Sequence, residues 1–135
     1  MIAVMMSAFM LTGCFSGQNV ENAEQLHGRW NLHSNSWTTG FGRTTNTGGF
    51  AASNYIEFNE NGTFSLYDYW WGSASGTWTF NAGNSTVTLN TTGFSVFAAT
   101  TTRTIQITSD GTIQMEFDHI ALGTTYSYRN RYNRA

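Results

Sequence analysis

Three histidines, a scatter of carboxylates, many serines and a single cysteine are the residues of this 135-residue chain with reactive side chains. His27, His33 and His119 stand too far apart for a metal-ligand spacing, and no H-E-x-x-H is present, so neither a metal nor a cofactor is expected. His119 follows Asp118, but neighbouring residues of a strand face opposite sides, so the adjacency does not make a catalytic pair. No serine sits in a nucleophile-elbow context. Glu57 and Glu116 flank apolar positions and should point outward, which leaves no facing carboxylates for glycoside chemistry. The residues therefore point to binding rather than to an enzyme. Tyr67, Tyr69 and Trp71 alternate opposite Phe64 and Leu66, either as an exposed aromatic row on which a sugar ring could stack, or with faces swapped by a bulge near Asp68 or covered by the N-terminal segment. Asp68 shares the face of Leu66 and Trp70, either as a polar group in an interior or at a bulge near a rim.

The sole cysteine, Cys14, excludes an intramolecular disulfide and any multi-cysteine zinc site within one chain. It ends the apolar run MIAVMMSAFMLTG, which is too short to cross a bilayer and has the length of a signal-peptide core. Leu11-Thr12-Gly13-Cys14 resembles the bacterial lipobox, in which a leucine and two small residues precede a lipidated cysteine. The resemblance implies that residues 1–13 are removed as a signal peptide and that Cys14 carries the acyl chains of a lipoprotein. At ~0.8 kcal/mol per buried CH₂, two or three chains hold a protein at a membrane essentially permanently. Residues 14–26 then read as a polar tether with a short helical turn before Leu26. Phe15 supplies no retention charge, so the expected location is the bacterial cell envelope, at the outer membrane of a two-membrane cell.

The rest of the chain must position whatever binds. Its length suits one domain. Only 10% of residues are charged against the ~25% usual for soluble domains, lysine is absent, and the net charge is −2. Without a basic cluster there is no electrostatic footprint for nucleic acid. An aromatic content of 16% supplies the apolar area that a disordered chain lacks.

From Arg29 onward, Thr, Tyr, Phe, Trp, Ile and Val alternate with polar residues, as half-buried strands do. Ile56 and Phe58 are followed by the turn Asn59 to Gly62, with Phe64 and Leu66 on the return. Trp78 and Phe80, Val87 and Leu89, Ile105 and Ile107, then Ile113, Met115 and Phe117 repeat the pattern, and Tyr126, Tyr128 and Tyr132 close it. Counting the segment from Trp30 to Trp37, this predicts about eight strands in an all-β, antiparallel, up-and-down barrel over residues 27–135. Two connections are long: residues 38–53, glycine-rich and unpatterned, and residues 91–102, which include Phe94 and Phe97. Loops of that length are usually functional or mobile.

Gly28-Arg29-Trp30 at the first strand resembles the G-x-W motif of lipocalins and lipocalin-like bacterial lipoproteins. The long first connection, the F-N-x-N-G-T-F hairpin (Phe58 to Phe64), the G-T-W strand (Gly76 to Trp78), the V-T-L that follows and a Tyr/Arg-rich last strand agree with it. The resemblance implies that Trp30 plugs one end of the barrel beneath an arginine of the last strand, Arg129 or Arg131. It also implies a small, largely apolar ligand inside, under the 38–53 loop as a lid. Phe58, Phe64, Leu66, Asp68, Trp70, Trp78, Met115, Tyr126 and Tyr128 are the candidates to line that interior. The alternative is a filled barrel whose outer face or loops engage an envelope protein, a hydrolase to be inhibited, or a glycan.

Overall fold

The computed structural model describes residues 17–40, 42–47, 53–93, 99–108 and 110–135. Ten strands are present among them: β1 (Gly17–Asn19), β2 (Gly28–Thr39), β3 (Gly42–Thr47), β4 (Tyr55–Phe58), β5 (Thr63–Asp68), β6 (Gly72–Asn81), β7 (Thr86–Thr92), β8 (Thr100–Thr108), β9 (Ile113–Ala121) and β10 (Thr124–Arg134). Eight of them, β2 and β4 to β10, pair antiparallel in the order β8-β7-β6-β5-β4-β2-β10-β9 and close through β8 against β9. The predicted barrel is thus present, and closure leaves no long unpaired edge among those eight strands.

Turn chemistry sets the registers. Between β4 and β5, Gly62 takes φ +85°, its N–H bonds Asn59 O at 3.0 Å, and Asn61 Oδ1 accepts the Thr63 N–H. Phe58 then faces Phe64, and Ile56 faces Leu66, so one apolar side is carried across the hairpin. In β6, a Cβ at Gly76 would lie 1.9 Å from Asn90 O, so only glycine admits β7 this closely. The inward alternation continues through Trp78, Val87, Leu89, Ile105, Ile113 and Met115, each at most 7% exposed.

Two expectations change, and one strand departs from regular alternation. First, the polar segment over 14–26 is not a free tether for its described part. β1 adds to β8, with Gly17 opposite Thr108, and a 3-10 turn, Ala23–Leu26, follows behind an Asn22–Gln25 capping box. Val20 and Leu26 are fully buried, and the Val20 N–H bonds the buried Ser85 hydroxyl. Burial of these two apolar side chains helps to seat the segment, at ~1.5–3 kcal/mol each.

Second, residues 38–53 are not wholly a loop, because β3 forms a hairpin with the outer half of β2, Ser34 to Thr39. Of that stretch, residues 41 and 48–52 lie outside the described residues, as do 94–98 of the second long connection and residues 1–16 with Cys14.

The irregular strand is β2. β10 pairs Tyr132 with Leu32 but Arg131 with Ser34, so His33 is an inserted residue, a bulge. Trp30 and Leu32 face inward before it, Asn35 and Ser36 are buried after it, and Trp37 is brought inward beside Tyr128.

Candidate functional site

One end of the barrel is closed. Trp30 is 2% exposed, donates its indole N–H to Leu26 O at 2.9 Å, and lies under a guanidinium centred 4.1 Å from the ring. That guanidinium belongs to Arg134, which also bonds His27 O and Gln25 O at 2.7 and 2.8 Å. Neither Arg129 nor Arg131 takes this place. Arg129 pairs outward with Glu116 at 2.8 Å, and Arg131 reaches Asp110 at 3.7 Å. The register explains the change, because Arg134 is the residue of β10 directly opposite Trp30. Gly28 has φ +108°, a conformation few other residues tolerate, and stands against the same Arg134 side chain.

Above the plug the interior is packed. Phe58, Phe64, Leu66, Trp78 and Met115 belong to one continuous core with Ile56, Val87, Leu89 and Ile105. Trp78 packs on Phe58 at 4.9 Å and donates to Asn59 O at 3.0 Å. These five candidates for ligand contact are therefore core side chains, in contact with each other.

A polar layer lies on this core. Arg103 is 3% exposed, with its guanidinium centred 3.8 Å from the Phe117 ring and Nη1 3.9 Å from Met115 Sδ. Its Nε has no hydrogen-bond partner, and burial lowers its pKa against the favourable influence of Tyr132 and Asp68. Asn130 and Tyr132 complete the layer, joined at 3.1 Å, around a void of about 10 Å³. That is at the lower limit for a single water. Burial raises the pKa of Tyr132.

Asp68 sits half-buried at the end of β5, at the rim of that layer. Its Oδ1 accepts the Trp70 and Trp71 N–H groups at 2.8 and 3.1 Å and folds the chain into the turn after β5. Desolvation raises its carboxyl above the ordinary value in spite of these bonds. The turn breaks the alternation. Trp71, expected outside, turns in, while Trp70, expected inside, is 54% exposed at the lip. Tyr67, Tyr69 and Trp71 consequently do not form one surface row. Tyr67 stays half-buried on β5 opposite Tyr55, and Tyr69 is edge-on to Trp70 at 5.3 Å.

The other end of the barrel opens into a recess of about 230 Å³ walled by Trp37, Trp70, Trp71, Tyr126 and Tyr128. The Trp71 indole N–H donates to the Tyr128 hydroxyl at 2.7 Å, and the Trp71 ring meets Tyr126 at 5.6 Å and His119 at 4.7 Å. Tyr128 stacks on Phe117 at 5.2 Å and 16°, and faces Trp37 at 6.1 Å. Burial pushes the Tyr128 hydroxyl up to about 12 and holds His119 below its ordinary value. Both are therefore neutral near pH 7. Of the nine interior candidates, Trp70, Tyr126 and Tyr128 wall the recess and Asp68 braces it. Sequence reasoning did not single out Trp37, Arg103 or Asn130. The last two carried a signal, since Arg103 lies two residues before Ile105 and Asn130 two after Tyr128, on the inward side of their strands. No protein-family model, curated protein or solved structure matches the chain.

Proposed function

We propose that the chain is a lipid-anchored, lipocalin-like binding protein of the bacterial envelope that seats a small, largely apolar ligand at the open end of a filled barrel. The aromatic recess carries this reading. Five large side chains converge on about 230 Å³ at one end of a scaffold whose remaining interior candidates are spent on packing. Sites for drug-sized molecules usually occupy ~300–1,000 Å³, so this one suits a single ring or a compact branched group, not a long acyl chain.

The anchor fits the same orientation. Gly17 pairs with Thr108 at the closed end, so a lipid on Cys14 would hold that end at the membrane and turn the recess away from it. The resemblance to lipocalins rests on the G-x-W segment and on the barrel, with Arg134 over Trp30 as its structural counterpart. The test is ligand-observed magnetic resonance with a set of small cyclic compounds on the full chain. Compounds should bind, and Trp37→Ala or Trp70→Ala should abolish their signals. Binding unaffected by both substitutions, or no binding at all, contradicts the reading.

A further inference from the structure

Among the described residues the walls of the recess are all aromatic: three indoles and two phenols, with no aliphatic side chain among them. Leucine or isoleucine would serve an uncharged apolar ligand as well. Aromatic rings around one space offer something more, because a ring face turned to a ligand presents the negative side of its quadrupole. We infer that the recess is a cation–π cage for a quaternary or methylated ammonium group, a conclusion that rests on the recess being the ligand seat.

Three further observations agree. Asp68 brings a carboxylate to the turn that carries two of the five walls, bonded to the N–H groups of Trp70 and Trp71. The Trp71 N–H and the Tyr128 hydroxyl are bonded to each other, so those two residues satisfy each other's polar tips. Finally, the two cationic side chains described nearby do not occupy the cage. Arg103 is held below it against Phe117, and His119, packed on Trp71, is kept neutral by burial at pH 7. A sugar fits less well, because its hydroxyls call for a circle of amides and carboxylates, and the five walls supply only indole N–H and phenol O–H groups. A trimethylammonium group fits the volume and needs no hydrogen bonds. The same chemistry occurs on free choline-type molecules and on choline lipid head groups.

The experiment is calorimetric titration of the full chain with choline, with its neutral isostere 3,3-dimethylbutan-1-ol, and with methyl glucoside. Choline should bind at least about tenfold more tightly than the isostere, the ratio that a desolvated cation–π contact of ~1.5–2 kcal/mol produces. Trp70→Ala should weaken choline about fivefold or more without moving the unfolding midpoint, since Trp70 is at the exposed lip. Trp70→Phe should restore most of the affinity. Glycerophosphocholine separates the two sources: saturation by it supports a lipid head group, and saturation by choline alone supports a free cation. Equal or tighter binding of the isostere overturns the cage and leaves the recess as a neutral apolar seat. Binding of methyl glucoside alone overturns the cage in favour of a glycan. Binding of none of the three also overturns it while leaving the recess as a ligand seat, which the cyclic compounds test separately.

Discussion

Arg134 stands directly across the β2–β10 ladder from Trp30 and lays its guanidinium 4.1 Å from the centre of the indole. The last strand is thereby joined to the first at the closed end, and the same side chain bonds the Gln25 and His27 carbonyls. One arginine ties together strand, plug and N-terminal segment.

Loss of this contact should be measurable by urea denaturation. Trp30→Ala is expected to cost ~3–5 kcal/mol, as deletions of large buried aromatics do. Arg134→Met should cost ~1–2 kcal/mol, combining a partly exposed cation–π contact with two hydrogen bonds to carbonyls. Arg129→Ala and Arg131→Ala, in half-exposed ion pairs, should each cost under ~1 kcal/mol. A larger loss at Arg129 or Arg131 than at Arg134 would contradict the assignment.

The segment before the barrel should behave as part of the core. Leu26→Ala is expected to destabilise by ~2–5 kcal/mol, because this last side chain of the 3-10 turn is fully buried in the core. An unfolding midpoint equal to that of the unaltered chain would mean that 17–26 is a tether after all.

Acid should weaken the fold before most carboxylates titrate. His119 is held below its ordinary 6.5 by burial, with Asp68 opposing and Arg103 reinforcing the shift. The unfolded chain therefore takes up this proton first, and stability falls as pH drops below about 6.5 until the folded value is passed. Asp68 acts in the opposite sense. Its raised value makes its contribution present at low pH and lost as pH climbs above 3.8 through the folded value. Urea midpoints at pH 7.5 and 5.5 should thus show a decline that His119→Gln reduces. An unchanged decline in the variant would place the proton elsewhere.

The anchor is tested by fractionation. Cys14→Ser should move the protein from the membrane to the soluble fraction, and continued membrane association would contradict lipidation at this residue.

The barrel was legible because period-two alternation is a local signal: Ile56, Phe58, Phe64, Leu66, Trp78, Val87, Leu89, Ile105, Ile113 and Met115 were all expected inside and are all buried. The recess was less legible because two backbone irregularities decide it. The bulge at His33 reverses the facing of Trp37, and the Asp68 turn exchanges Trp70 and Trp71. The bulge leaves no compositional mark, whereas Asp68 and Gly72 do mark the turn, and a swap of faces near Asp68 was one of the alternatives. The seating of 17–26 was hidden for another reason, since its buried apolar side chains, Val20 and Leu26, are scattered among polar neighbours.

The most direct test of the central claim is native mass spectrometry of the full chain purified from its own host, beside the Trp37→Ala and Trp70→Ala variants. The expected result is a discrete added mass of one small molecule on the unaltered chain, released on denaturation and missing from both variants. A bare chain mass in all three, or an added mass that persists in both variants, would contradict binding in the recess.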